Sequence, residues 1–162
     1  MMKFENLTRV LTEYAELIRD KYKEELQSLG INASKSLSNS VAAVFTVNGT
    51  IYEASLSLND YYKYIEGGRP PTKNDGNGEL RRAILQWIKV KPVLPTPYNG
   101  KLPTQEQLAY LISRKIHMLG YEGKHPLKNV LEREEDNMLK NIEQAITEDI
   151  NKELDEILFI IK

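Results

Sequence analysis

The chain has 162 residues and no cysteine, so it fits a single folded domain and excludes disulfide scaffolds and thiolate chemistry. It has no visible signal peptide and no apolar run near the roughly 20 residues of a membrane helix, so we expect no membrane contact. A formal net charge of −1 excludes a uniformly basic or acidic protein.

An N-terminal helix is predicted over about 5–29. Apolar residues recur at helical spacing from Leu7 to Leu29, and Glu and Lys fill the opposite face. Gly30 stands where a left-handed C-terminal cap belongs.

A β-hairpin is predicted over about 40–58, with Asn48-Gly49 as the favoured pair of a type I′ turn. This turn pairs Val47 with Thr50 and Phe45 with Tyr52, which places the apolar residues of both strands on one face. Because two strands alone are marginally stable, we expect helices or a neighbouring chain to cover them.

A short helix through about Glu66 follows, with Asn59 or Asp60 as its predicted cap. Its predicted internal anchors are Tyr61, Tyr64 and Ile65. A glycine pair ends the helix and two prolines prevent its continuation, which indicates a surface loop over 67–78. The loop opens with Gly67, Gly68, Arg69, Pro70 and Pro71, an exposed segment that an assembly protein could present as a contact surface.

Two further helices flank a proline-rich loop over 91–103. The first spans about 79–90 and has Trp87 among its apolar anchors. The second begins at a capping box formed by Thr104 and Gln107 and ends at Gly120. Its predicted buried stripe is Leu108, Leu111, Ile112, Ile116 and Leu119.

Apolar residues then keep helical spacing from Leu127 to Ile161, which predicts one long helix or two helices with a break. Such a length exceeds a small core, so part of it is expected to pack on a partner chain. The predicted fold is a single α+β domain over 1–162, in which a small antiparallel sheet packs on several helices.

The charges are unevenly distributed along the chain. Residues 1–60 carry 6 Lys or Arg and 8 Asp or Glu, residues 61–128 carry 12 and 5, and residues 129–162 carry 4 and 10. The net charges of −2, +7 and −6 fit solvated faces of different sign, complementary subunit surfaces, or a basic face for nucleic acid.

The sequence offers little for catalysis. It lacks a Walker loop, a dinucleotide fingerprint and a nucleophile elbow. An enzyme would have to rely on Glu66, His117 and His125, and the simpler reading of Glu66 is a bond to local backbone or to Arg69. We therefore predict no catalytic residues, no metal and no cofactor.

Basic and aromatic residues alternate between 61 and 91, as in sites that stack bases and contact phosphates. The residues predicted to face DNA are Lys73, Arg81, Arg82, Lys89 and Lys91. A small regulatory or DNA-binding protein is thus an alternative reading, although the same aromatic residues also occupy core spacings.

Two segments resemble a known family. The stretch YYKYIEGGRPP is similar to the segment after the sheet in tail-completion and head–tail joining proteins of long-tailed phages. The stretch LAYLISRKIHMLGYEGKHPLKNVLE resembles the second signature of that family, and its matching residues are Ala109, Tyr110, Ile112, Arg114, Lys115, Gly120, Pro126 and Leu127. The resemblance covers roughly 40–131, and GGRPPT with PTQEQLAYLISRKI looks most like neck proteins of Bacteroidetes phages or prophages.

The resemblance implies a non-enzymatic virion protein, made in the host cytoplasm and built into the neck or tail. Copies would form a ring of about six or twelve subunits between portal and tail. The ring would contact other neck, portal or tail proteins and leave an axial channel with weak, non-specific contact to the passing DNA. The glycine–arginine–proline loop would then face a neighbouring subunit or the channel.

Overall fold

The computed structural model describes residues 4–31, 35–73, 78–91, 93, 95–97 and 100–160. Within these residues the chain forms six helices and four strands. In chain order they are α1 (Glu5–Ser28), α2 (Ser36–Ser40), β1 (Ala42–Asn48), β2 (Ile51–Ser57), α3 (Tyr62–Gly67), β3 (Gly68–Arg69), α4 (Glu79–Val90), α5 (Gln105–Leu119), β4 (Tyr121–Glu122) and α6 (Pro126–Ile160). The predicted α+β class and the single long C-terminal helix are confirmed.

Helices α1 and α6 form an antiparallel pair that runs the length of the described fold. Arg133 on α6 contacts Glu25 near the end of α1, whereas Lys152 contacts Glu5 at the start of α1. Between these ends, apolar residues of both helices pack in one cluster, namely Val10, Tyr14, Leu17, Met138, Ile142 and Ala145. Their packing confirms the helical stripe predicted for α1 and the middle of the stripe predicted for α6, whose Leu131 and C-terminal residues are exposed instead.

The end of α1 also follows the sequence expectation. The Gly30 N–H donates to the carbonyl oxygen of Gln27, and the Ile31 N–H donates to that of Leu26, both at 3.0 Å. These two bonds define a Schellman motif, with Gly30 in the left-handed conformation. The motif turns the chain so that Ile31 packs against the same core as Leu26.

The hairpin exists, but its predicted register is wrong. Asn48 pairs with Ile51 and Val47 pairs with Tyr52, so the two-residue loop is Gly49-Thr50 rather than Asn48-Gly49. Gly49 has a φ of 63°, which fits a type II′ turn with glycine first. Each partner moves by two residues, so the predicted inner face is preserved. Tyr52 packs edge-on against Phe4 beside α1.

The main core lies where α1, the hairpin and α3 meet. Its buried residues are Tyr22, Leu26, Leu37, Val41 and Ile65. Ile65 is thus the one predicted anchor of α3 that is buried. The predicted side-chain cap of α3 is wrong, because neither Asn59 nor Asp60 bonds its first turn through a side chain, and Asp60 pairs with Lys63 instead.

We expect Tyr22→Phe to raise the free energy of unfolding by about 1 kcal/mol, because it removes a buried hydroxyl whose desolvation is uncompensated. Tyr22 is fully buried, and its hydroxyl has no hydrogen-bond partner among the described residues. Burial and the nearby Glu66 carboxylate both raise the pKa of this hydroxyl. Urea denaturation at pH 7 measures the change. Tyr62→Phe is the control on a half-buried ring beside the same core, and a loss of stability on Tyr22→Phe alone would contradict the expectation.

Helix α5 starts at the predicted capping box, with both reciprocal bonds between Thr104 and Gln107 formed. Its predicted buried face is partly wrong. Leu111 and Leu119 are exposed, whereas the small or polar residues Ala109, Ser113 and His117 are buried. The buried side of α5 is the one on which His117 contacts Thr72 through its carbonyl and its ring, and Ser113 and Ala109 lie four and eight residues before His117 on that side.

Candidate functional site: an aromatic groove

Two short strands join the two segments that carry the family resemblance. In the antiparallel pair of β3 and β4, Gly68 pairs with Glu122 and Arg69 with Tyr121. The junction is extended at both ends. The Lys124 N–H donates to the Ile65 carbonyl at 2.8 Å, and the Thr72 N–H donates to the His117 carbonyl at 2.8 Å. Residues 65–72 therefore run along 117–124, although they are distant in sequence.

Glycine makes this close backbone approach possible. A Cβ atom on Gly123 would overlap the backbone of Glu66, and one on Gly68 would overlap the carbonyl of Tyr121. Gly120 faces the same constraint from Arg69 and Pro70. These glycines thus serve to bring two backbones together, rather than to loosen a loop.

Glu66 holds the start of α6. Its carboxylate accepts a bond from the Leu127 N–H at 2.7 Å and a long one from the Lys128 N–H at 3.5 Å. A carboxylate at a helix N-terminus satisfies free backbone donors and interacts favourably with the helix dipole. Glu66 does bond backbone, but to a distant helix instead of local residues or Arg69. Glu66, the main candidate for a catalytic acid in the sequence, therefore has a structural role.

An apolar groove of about 500 Å³ opens beside this junction. Its walls come from α3, α4, α5 and β4, with Ile31 at one margin. The aromatic and aliphatic residues of the walls are Tyr61, Tyr64, Ile65, Leu80, Ala83, Ile84, Trp87, Ile112, Ile116 and Tyr121. Four charged residues also line it, namely Arg69, Glu79, Glu122 and Lys124. The groove is thus mostly apolar, with charges of both signs.

The structure corrects the role of three predicted anchors. Tyr61 is 56% exposed, Tyr64 is 46% exposed and Trp87 is 38% exposed, so these side chains do not fill a core. They instead form walls of the groove together with the buried Ile65. Helical spacing correctly places Tyr61 and Tyr64 on one face of α3, whereas Trp87 reaches the groove from α4, and the described elements leave all three partly exposed. Exposed apolar surface of this kind commonly marks an interaction site.

Tyrosines and Arg69 meet at one part of the groove. Burial raises the pKa of the Tyr121 hydroxyl, the neighbouring Tyr61 and Tyr64 raise it further, and Arg69 opposes them. The tyrosine therefore stays neutral near pH 7. Rings with neutral hydroxyls and a flanking guanidinium suit contact with apolar side chains and carboxylates of another protein.

The residues of the predicted interface segment separate into two groups. Gly68 and Arg69 are half-buried in β3, so the predicted surface loop begins later than residue 67. Gly67, Pro70 and Pro71 are exposed and remain available for contact. Residues 74–77 of the predicted loop lie outside the described residues.

The described lining of the aromatic groove includes none of the five residues predicted to face DNA. At 100° per residue, Arg82 and Lys89 lie on the side of α4 opposite Trp87. Arg81 stacks over Tyr110 at 5.6 Å, and Lys91 donates to the Gly30 carbonyl at 3.3 Å. Lys73 is exposed at a bend near the gap in the described residues. These cations therefore do not line the aromatic groove, and their contact with DNA stays a prediction.

The histidines do not come together as a catalytic pair. His117 is buried and its Nδ1 contacts the Thr72 hydroxyl, whereas His125 is exposed with a φ of 49°. Among the described residues, no cluster of three or more His, Asp and Glu is arranged to bind a metal ion. The same residues include no helix that is long and apolar enough to cross a membrane.

Sequence reasoning missed Tyr121 and Gly123 as parts of the site. Each lies in a stretch without periodicity, and β3 and β4 have only two residues each. The one signal available in the sequence was the close spacing of Gly120 and Gly123.

Comparison of the chain with protein-family models, curated proteins and solved structures gave no match.

Proposed function

We propose that this protein is a structural subunit of the neck of a long-tailed phage, in a ring that joins the portal to the tail. The proposal starts from the resemblance of its two signature segments to tail-completion and head–tail joining proteins. The observation that carries it furthest is that these segments lie side by side and together wall an exposed aromatic groove. Their residues thus form one continuous surface, which supports a shared function.

The groove is suited to protein contact rather than to catalysis. It has exposed tyrosines and a tryptophan, which are the residues enriched in protein interfaces. Glu66, the main candidate acid, is engaged in holding α6. We propose no catalytic step, no metal and no cofactor, and the partners are copies of this chain with portal and tail proteins.

Peptide mass spectrometry of particles from a culture whose genome encodes this chain tests the proposal. We expect the protein in purified particles at about six to twelve copies per portal assembly, as a closed ring requires. The portal protein provides the internal standard, and a host cytoplasmic protein of similar abundance in the lysate is the control for carry-over. Absence from particles, with free protein in the lysate, would overturn the proposal.

DNA affinity of the purified full chain distinguishes the regulatory alternative. A ring subunit with weak DNA contact should show little binding to a duplex at physiological salt. Tight binding that weakens steeply with salt would favour a DNA-binding protein. Fluorescence anisotropy with a labelled duplex measures this, and an Arg82→Ala/Lys89→Ala variant identifies whether the basic side of α4 is responsible.

A further inference from the structure

The C-terminal end of α6 carries an apolar stripe that the described residues of the chain leave uncovered. The tip stripe consists of Ile150, Leu154, Ile157 and Leu158, which are 42% to 60% exposed. At 100° per residue these four residues lie within about one quarter to one third of the helix circumference. α1 begins at Glu5, which contacts Lys152, so the last turns of α6 extend past the helix they pack on.

The tip stripe and the aromatic groove lie at opposite ends of the molecule. The groove includes Lys124, two residues before α6 begins at Pro126. At 1.5 Å per residue, the tip stripe lies roughly 36–48 Å further along the helix axis. A continuous helix cannot bend its end back over that distance. The two apolar surfaces of one chain therefore cannot cover each other.

We propose that the tip stripe of one copy docks into the aromatic groove of the next copy. This inference rests on the proposed ring and names the contact that closes it. Residues at i, i+4, i+7 and i+8 are the pattern with which a helix fills an apolar groove. The contact uses a different surface on each copy, so repetition produces a ring or a filament rather than a two-fold dimer.

Charge complementarity favours this occupant. The four charged residues that line the groove balance one another, but the groove-forming segments 62–69, 79–90 and 105–124 still carry 6 Lys or Arg and 4 Asp or Glu when Arg82 and Lys89 on the far side of α4 are left out, a net charge of +2. Without the buried Asp149, the tip segment 148–160 carries 1 Lys and 4 Asp or Glu, a net charge of −3. Opposite charges favour tip-to-groove association, whereas two tips facing each other would bring like charges together.

Disulfide trapping tests the contact directly, because the natural chain has no cysteine. One preparation carries Leu158→Cys in the tip stripe, and a second carries Ala83→Cys in the groove wall. After mixing and mild oxidation, we expect the mixed dimer to form at least about ten times faster than either homodimer, because docking raises the effective thiol concentration. A full chain with both substitutions should give a ladder of covalent oligomers.

A matched control uses Leu139→Cys, since Leu139 is an equally exposed leucine of α6 that lies outside the tip stripe. Mixed with Ala83→Cys, it should crosslink no faster than free collision allows. Raising the salt from 50 to 500 mM should slow the tip-to-groove reaction, because salt screens the complementary charges. Adding Trp87→Ala to the groove preparation should slow it as well, since this removes an apolar wall.

Two results would overturn the inference. One is a dominant Leu158→Cys homodimer, which would indicate tip-to-tip association. The other is a mixed-dimer rate equal to that of the Leu139→Cys control. Neither result bears on whether the protein is present in particles. Disulfide trapping therefore tests the tip-to-groove contact, whereas the protein composition of particles tests the neck assignment.

Discussion

Gly123→Ala is expected to lower the free energy of unfolding by at least about 3 kcal/mol, and Gly68→Ala by a similar amount. The new methyl group would overlap the Glu66 backbone in the first variant and the Tyr121 and Gly123 backbones in the second. A rotamer change cannot relieve either overlap, because both partners are main-chain atoms. Gly68 also has a φ of 72°, which adds backbone strain.

Two further glycines provide graded controls. Gly67 neighbours Gly68, but a Cβ atom there meets nothing within 4 Å, so Gly67→Ala is expected to have almost no effect. Gly49 has a positive φ and equally open surroundings, so Gly49→Ala should cost only about 1 kcal/mol of strain. Urea denaturation followed by circular dichroism ranks the four variants. Equal effects of Gly67→Ala and Gly68→Ala would refute the close backbone approach.

These glycine variants also show whether Gly68 is needed for folding or only for contact of the loop with another subunit. If GGRPP were only an exposed docking loop, alanine at position 68 would leave stability unchanged and impair assembly alone. Because β3 and β4 are paired, we expect instead that Gly68→Ala first opens the junction between them and that the groove is lost as a result. Loss of stability should therefore accompany any loss of tip-to-groove crosslinking in Gly68→Ala.

Local signals in the sequence were sufficient for most of the fold. Helix periodicity located α1, α4, α5 and α6, and capping chemistry set the start of α5 and the end of α1. Both signals depend on residues within one or two turns of each other. The register of the hairpin, by contrast, could not be predicted from such local signals. Turns at Asn48-Gly49 and Gly49-Thr50 place the same side chains inward, so the apolar pattern could not choose between the two registers.

The candidate site was harder to predict because it depends on whether another element packs over the apolar face of a helix. The spacing of Tyr61 and Tyr64 indicated one face of α3, but a covered face and an open groove have the same sequence pattern. In α5, burial follows the side on which His117 contacts Thr72 rather than hydrophobicity, so Ser113 is buried and Leu111 is exposed. The pairing of β3 with β4 joins residues about fifty positions apart and has no periodic signal.

Asp149 carries the second large expected effect, because it holds the start of α1 from within α6. The side chain is 1% exposed. Its carboxylate accepts the backbone N–H groups of Asn6 and Leu7 at 3.0 Å each and the Asn6 side-chain amide at 2.9 Å. We expect Asp149→Ala to lower the free energy of unfolding by about 2–4 kcal/mol, since it removes the acceptor of three partly buried donors at a helix N-terminus. Asp155→Ala, at an exposed acid of the same helix, is the control.

The pH dependence of the free energy of unfolding tests whether the negative charge of Asp149 causes this stabilisation. Burial raises the pKa of Asp149, but the hydrogen bonds from Leu7 and Asn6 outweigh it and hold the pKa below its ordinary value. A carboxyl whose pKa is lower in the folded state adds stability above its unfolded pKa of about 3.9, and that stability is lost as pH falls through the folded pKa.

Asp149→Asn retains a carbonyl acceptor but not the charge. The stability difference between wild type and Asp149→Asn should therefore stay constant from about pH 7 to 5 and shrink below about pH 4. Urea denaturation across this range measures it, and a difference that persists unchanged at pH 3 would show that shape, rather than charge, holds the two helices together at this end.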